Sequence, residues 1–118
     1  MSPIFDYQAS LIRMGNDESL LREMASLLLE DGPHRLREAQ AGLQSHDAQR
    51  VMRAAHTLKG LAANFGAAQA VAAAAKLEDL ARHEHWADMD NAAEALQQSW
   101  DELLHALRPI ATMASESV

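Results

Sequence analysis

His56 stands three residues after Arg53, three before Lys59 and four before Gly60, in the run Met52-Arg53-Ala54-Ala55-His56-Thr57-Leu58-Lys59-Gly60. An imidazole is a nucleophile near neutral pH, and the chain has no cysteine to compete for that role. A cation three residues away opposes a second positive charge on the ring, and afterwards offers charge to an anion such as a phosphoryl group. Glycine inside a helix costs about 1 kcal/mol relative to alanine. That cost is tolerated where something must approach the backbone or a neighbouring side chain, so Gly60 reads as cleared space beside the ring. Met52, Arg53 and Ala63 lie one or two turns from His56 and are the residues a docking partner would touch. A lone surface histidine or lysine ordinarily does nothing specific. The combination carries the chemistry: nucleophile, anion stabiliser and free space on adjacent turns.

The element that must carry these residues is a helix. Asp47 can cap it, and Val51, Ala55, Leu58, Ala62 and Phe65 recur at helical spacing as its core stripe, with Gly66 as the terminating glycine. At about 100° per residue His56 falls roughly 140° from the centre of that stripe, on the face toward water. Before it, Phe5 to Arg13 reads as a short first helix with Ile4, Leu11 and Ile12 as apolar contacts. Asp17 then caps a long helix, about Glu18 to Ser45, whose stripe Leu21, Ala25, Leu28, Gly32, Leu36, Ala39 and Leu43 keeps its phase through Pro33. One kinked helix is therefore expected there rather than two. After the histidine helix, a fourth element from about Ala68 to His83 turns Ala70, Ala73, Leu77 and Leu80 inward. A loop His83-Glu84-His85-Trp86 follows. A fifth helix from about Asp88 to Arg108 aligns Met89, Ala92, Leu96, Trp100, Leu103 and Leu107, with Pro109 expected to stop it. Short loops between long helices make neighbours antiparallel. The expected fold is all-α: an up-down antiparallel four-helix bundle with a short additional N-terminal helix, one domain over residues 1–110 and a flexible tail over 111–118.

Composition agrees with this class and narrows the function. The 118 residues suffice for one core, and aromatics make up only 4%. Without cysteine there is no disulfide framework and no thiolate metal site, which suits a reducing compartment. No apolar run reaches the roughly 18 residues of a membrane span, and the start MSPIFDYQAS lacks the order of a signal peptide, so a cytoplasmic location is expected. That expectation also covers a cytoplasmic domain of a larger, membrane-bound protein. The formal charge of −7 argues against a nucleic-acid partner. Yet from Ala48 to Leu77 there is no Asp or Glu, and Arg50, Arg53, Lys59 and Lys76 all lie there. An acidic molecule thus carries one neutral-to-basic segment, and His56 is in it.

The segment Ala55-His56-Thr57-Leu58-Lys59-Gly60 followed by Asn64-Phe65-Gly66-Ala67 resembles the AHxLKGxxxxxGA signature of histidine phosphotransfer domains, with every spacing met. The likeness extends more weakly to Phe5-Asp6, to Leu29-Glu30-Asp31 before a proline, and to Leu77-Glu78-Asp79-Leu80. The resemblance implies a helical phosphocarrier without its own ATP-dependent kinase activity. His56 would accept and donate the phosphoryl group, Lys59 would stabilise its charge, and Gly60 would leave room for the incoming receiver. Partners would be receiver domains of response regulators or hybrid sensor kinases, met by a monomer with no membrane contact. No cofactor or metal of its own is expected, Mg2+ belonging to the partner receiver. Some family members place a polar side chain from the next helix near the phosphohistidine. Glu78 occupies about that position, but a carboxylate would repel phosphate, so it is not expected among the site residues.

Other readings fit less well. A sensor-kinase dimerisation helix would place an acidic residue directly after the histidine, where Thr57 stands, and no ATP lid fits in the remaining length. His83 and His85 lack a third ligand at regular spacing, so they are weak grounds for a metal site. A non-catalytic helical adaptor explains the apolar stripes but not Gly60 beside His56 and Lys59. The N-terminal phosphotransfer domain of a chemotaxis-type kinase shares the motif and is the nearest alternative.

Overall fold

Asp6, Asp17 and Asp47 each sit in extended backbone and accept a hydrogen bond from the amide three residues on, at Ala9, Leu20 and Arg50 (2.9, 3.1 and 3.1 Å). These caps satisfy amides that have no partner inside the helix. They open α1 (Tyr7–Arg13), α2 (Glu18–Gln44) and α3 (Ala48–Ala63), which are followed by α4 (Ala68–Arg82) and α5 (Trp86–Thr112). The structure, a computed structural model, describes residues 4–112. Among these the chain is helical throughout apart from turns, with no strand.

The four long helices close a ring: α3 packs between α2 and α4, and α5 completes it by packing on α4 and α2. Each consecutive pair is joined by three or four residues, so the chain reverses at every turn. This is the expected four-helix bundle with one short extra helix. Its interior is filled by the anticipated stripes. Leu21, Ala25, Leu28, Leu36 and Ala39 come from α2, Val51, Ala55, Leu58 and Ala62 from α3, and Met89, Leu96, Trp100, Leu103 and Leu107 from α5, all buried. Gly32 faces α5 so closely that a Cβ there would overlap the Trp100 indole.

Prolines behave differently from a simple helix-stop rule. α2 continues through Pro33 as its unbroken phase requires. Pro109 was expected to end the last helix, yet α5 runs on to Thr112. The ring of Pro109 is exposed, so the carbonyl it deprives of a donor lies where water can reach it, while Ile110 continues the buried stripe after Leu107. Ala111 and Thr112, assigned above to a tail, are therefore helical, and residues 113–118 of that expected tail lie outside the described residues.

Two further boundaries shift, and two expected contacts differ. Phe5 precedes α1 rather than starting it, and meets Phe65 edge-on at 6.3 Å. Ile12, expected as an apolar contact, is 67% exposed, whereas Leu11 packs against the core. Trp86 begins α5 instead of lying in the loop, with its ring stacked on His46 from the α2–α3 turn (centroids 3.7 Å apart, 18° between planes). On α4 the inward residues are Ala70, Ala74, Leu77, Glu78 and Ala81, with Ala73 and Leu80 only half-buried. That rotation has consequences for the site.

α1 is tied to the far end of α3. Gly66 takes the left-handed conformation (φ +59°) that ends α3, as its position after Phe65 anticipates. The reversal lets the Asp6 amide donate to the Phe65 carbonyl at 2.8 Å, and the Arg13 guanidinium donates to the carbonyl of Ala63.

Candidate functional site

The buried face of α3 (Val51, Ala54, Ala55, Leu58, Ala62) leaves His56 on the opposite side, where its side chain is 68% exposed. Around it, Arg53, Gly60 and Ala63 are exposed, and Met52 and Lys59 half-buried. The residues singled out by spacing therefore share one accessible strip of α3. A Cβ added at Gly60 would meet nothing within 4 Å, so no contact inside the molecule requires a glycine there.

The neighbouring helix supplies what spacing on α3 alone did not reveal. Glu78 of α4 is the single charged residue that is buried among the described residues, with its side chain 7% exposed. One carboxylate oxygen, Oε2, lies 2.7 Å from Nδ1 of His56, and the other, Oε1, accepts from Nζ of Lys59 at 2.6 Å. Arg82, one turn further along α4, reaches Oε2 at 3.4 Å. Burial by itself raises the proton affinity of this carboxyl. The hydrogen bonds from Lys59 and His56, together with their charge, outweigh it, so its pKa lies below the ordinary carboxylate value and Glu78 is ionised at neutral pH.

The ionised carboxylate settles the tautomer of the ring. It has only acceptors to offer, so Nδ1 of His56 must donate, and in the neutral ring Nε2 is left with the free lone pair. Nε2 thus combines exposure with a fixed orientation, the arrangement that prepares an imidazole to attack an electrophile. Glu78, which the resemblance placed near the histidine but which was set aside on charge grounds, is in direct contact with the ring. The available signal was its place on α4: four residues after Ala74 and three before Ala81, a carboxylate in the apolar phase of an alanine-rich helix. A carboxylate in that position must be paired.

A groove of about 720 Å³ opens beside His56 over the first half of α3, lined among others by Arg35, Arg50, Arg53, Glu78 and Arg82. Arg50 is engaged across it with Glu38 of α2 at 3.1 Å, which lowers the pKa of Glu38 and raises that of Arg50 through their hydrogen bond and charge. Away from this strip, His83 Nδ1 lies 2.9 Å from the Asp79 carbonyl and its ring is 6.0 Å from that of His85. Among the described residues no three His, Asp or Glu side chains converge as metal ligands. No helix there is long and apolar enough to cross a membrane.

Comparison with known proteins identifies the family and the fold. The family model of the Hpt domain matches residues 23–108. The crystal structure of histidine-containing phosphotransfer protein B from Pseudomonas aeruginosa PAO1 has the same fold. It superposes with a TM-score of 0.87 at 22% sequence identity, covering 96% of this chain and 98% of that one. No curated protein matches the chain.

Proposed function

The chain belongs to the Hpt domain family, and from that premise we propose that His56 takes a phosphoryl group from the aspartyl phosphate of one receiver domain and hands it to the aspartate of another. Hpt proteins are phosphocarriers of two-component phosphorelays, and they work with receiver domains. What carries the assignment to His56 is the pairing of an exposed ring with an Nδ1 held at 2.7 Å by a buried carboxylate.

The step follows from that pairing. The Nε2 lone pair attacks phosphorus while the bond to the donor aspartate oxygen breaks, and the aspartate leaves with the electron pair as a carboxylate. The ring, with its proton still on Nδ1, gains positive charge as the N–P bond forms, directly against Glu78, which is already oriented to receive it. In the second half-reaction an aspartate oxygen of the next receiver attacks the same phosphorus, and the ring leaves neutral. Lys59 keeps Glu78 ionised and adds positive charge one turn from the ring. Gly60 and Ala63 leave the strip low enough for a receiver to come within bonding distance, and Met52 gives it an apolar contact. Arg53, in the carboxylate-free stretch, favours the approach of an acidic receiver face. The carrier acts as a monomer and needs no cofactor of its own, the magnesium ion belonging to the receiver.

The test is incubation with a panel of phosphorylated receivers, following acid-labile label on this chain. Wild-type protein is expected to be labelled, and His56→Gln to stay unlabelled with helical circular dichroism and melting nearly unchanged, because the exposed ring contributes little to the core. Label on the His56→Gln protein would refute the assignment.

A further inference from the structure

Most cations around His56 are already engaged. Lys59 sits 2.6 Å from one oxygen of Glu78 and Arg82 lies 3.4 Å from the other, while Arg50 holds Glu38 at 3.1 Å and Arg35 holds Asp31 at 3.4 Å. Arg53 lines the same groove, is exposed, stands one turn before His56, and its side chain makes no ion pair or hydrogen bond among the described residues.

We propose that Arg53 is the direct partner of the phosphoryl group on phosphorylated His56, closing on it from one turn away. This rests on His56 being the acceptor, and gives Arg53 a role beyond attracting receivers. Phosphorylation places up to two negative charges at Nε2. For Lys59 to turn to them it would have to give up a short bond to a carboxylate that is almost wholly buried, leaving that charge without its closest partner. Arg53 gives up only water. Residues three apart on a helix are neighbours, and a guanidinium offers two parallel N–H donors that match two phosphoryl oxygens. The work is thereby divided: Lys59 serves the carboxylate behind the ring, and Arg53 serves the group in front of it.

Phosphoramidate provides a test that needs no receiver. Nε2 attacks its phosphorus, the P–N bond breaks and ammonia leaves, giving phosphohistidine whose phosphoryl ionisation is read by 31P NMR as pH is varied. A nearby cation favours the dianion and lowers the titration midpoint, so removing the cation raises it. Arg53→Ala is expected to raise the midpoint by roughly half a pH unit at low salt, Arg53→Lys by less, and Lys59→Ala by less than Arg53→Ala. An unchanged midpoint in Arg53→Ala, or a larger rise in Lys59→Ala, would overturn the proposal while leaving His56 as the acceptor. If the wild-type protein forms no phosphohistidine at position 56, the acceptor assignment fails and takes this inference with it.

Discussion

Gly32 and Gly60 both lie inside long helices, where glycine weakens the helix by about 1 kcal/mol relative to alanine. An added methyl group would overlap the Trp100 indole at Gly32, whereas at Gly60 it would meet nothing within 4 Å. The first glycine belongs to the side of the bundle where α2 meets α5 and the interior is closed by a large, fully buried aromatic ring. The second belongs to the outer strip of α3, where a buried carboxylate holds an exposed imidazole. Packing inside the molecule accounts for Gly32 and leaves Gly60 without a reason to be glycine. The same residue type at the same intrinsic cost thus serves folding in one place, and in the other points to a partner outside the chain.

That contrast is open to direct attack. The largest effect is expected from Gly60→Leu. Transfer from a phosphorylated receiver should fall by roughly a hundredfold, since small displacements of reacting groups are costly, while labelling by phosphoramidate persists. Near-normal transfer would mean that the space over Gly60 is not used in docking. Alanine at the two positions should then move stability in opposite directions. Gly32→Ala is expected to destabilise by about 1–2 kcal/mol, the strain of overpacking against Trp100 exceeding the gain in helix propensity. Gly60→Ala should stabilise by up to about 1 kcal/mol. Urea titrations decide it, and a shift of the same sign in both variants would undo the distinction. The smallest effect concerns Glu78 and pH. Its folded pKa is lowered, so its ionisation contributes stability that is fully present above the ordinary carboxylate value of 4.5 and is lost as pH falls through the lower folded value. Relative to Glu78→Gln, the wild-type advantage in melting temperature should hold at neutral pH and shrink below about pH 4.5. An advantage that stays constant down to pH 3 would show that the carboxylate is not stabilised by Lys59 and His56.

Much of the architecture was legible because its causes are local. Aspartates 6, 17 and 47 cap helices by bonding amides three residues away. Apolar residues every three or four positions mark the face each helix must bury, which is why the stripes of α2, α3 and α5 were placed correctly, save that Leu43 at the end of α2 is only half-buried beside the buried Gly42, and why Pro33 was read through. Pro109 was misjudged because the rule for proline describes an isolated helix. Here the stripe that reaches Ile110 holds the last turn against the bundle.

By itself, the sequence determined the helices, the buried faces of α2, α3 and α5, and the exposure of His56 together with Arg53 and Gly60, since all of these depend on spacing along one helix. The tertiary structure alone decided what the charges do. Glu78 is 22 residues from His56 in the chain, and read in isolation its charge argues against a place near a phosphoryl group. Once α4 is packed against α3 with Ala74, Leu77 and Ala81 inward, that carboxylate lies behind the ring, on Nδ1, and draws in Lys59 as well. Electrostatic effect depends on distance and on burial, and both are set across the helix interface rather than along the chain.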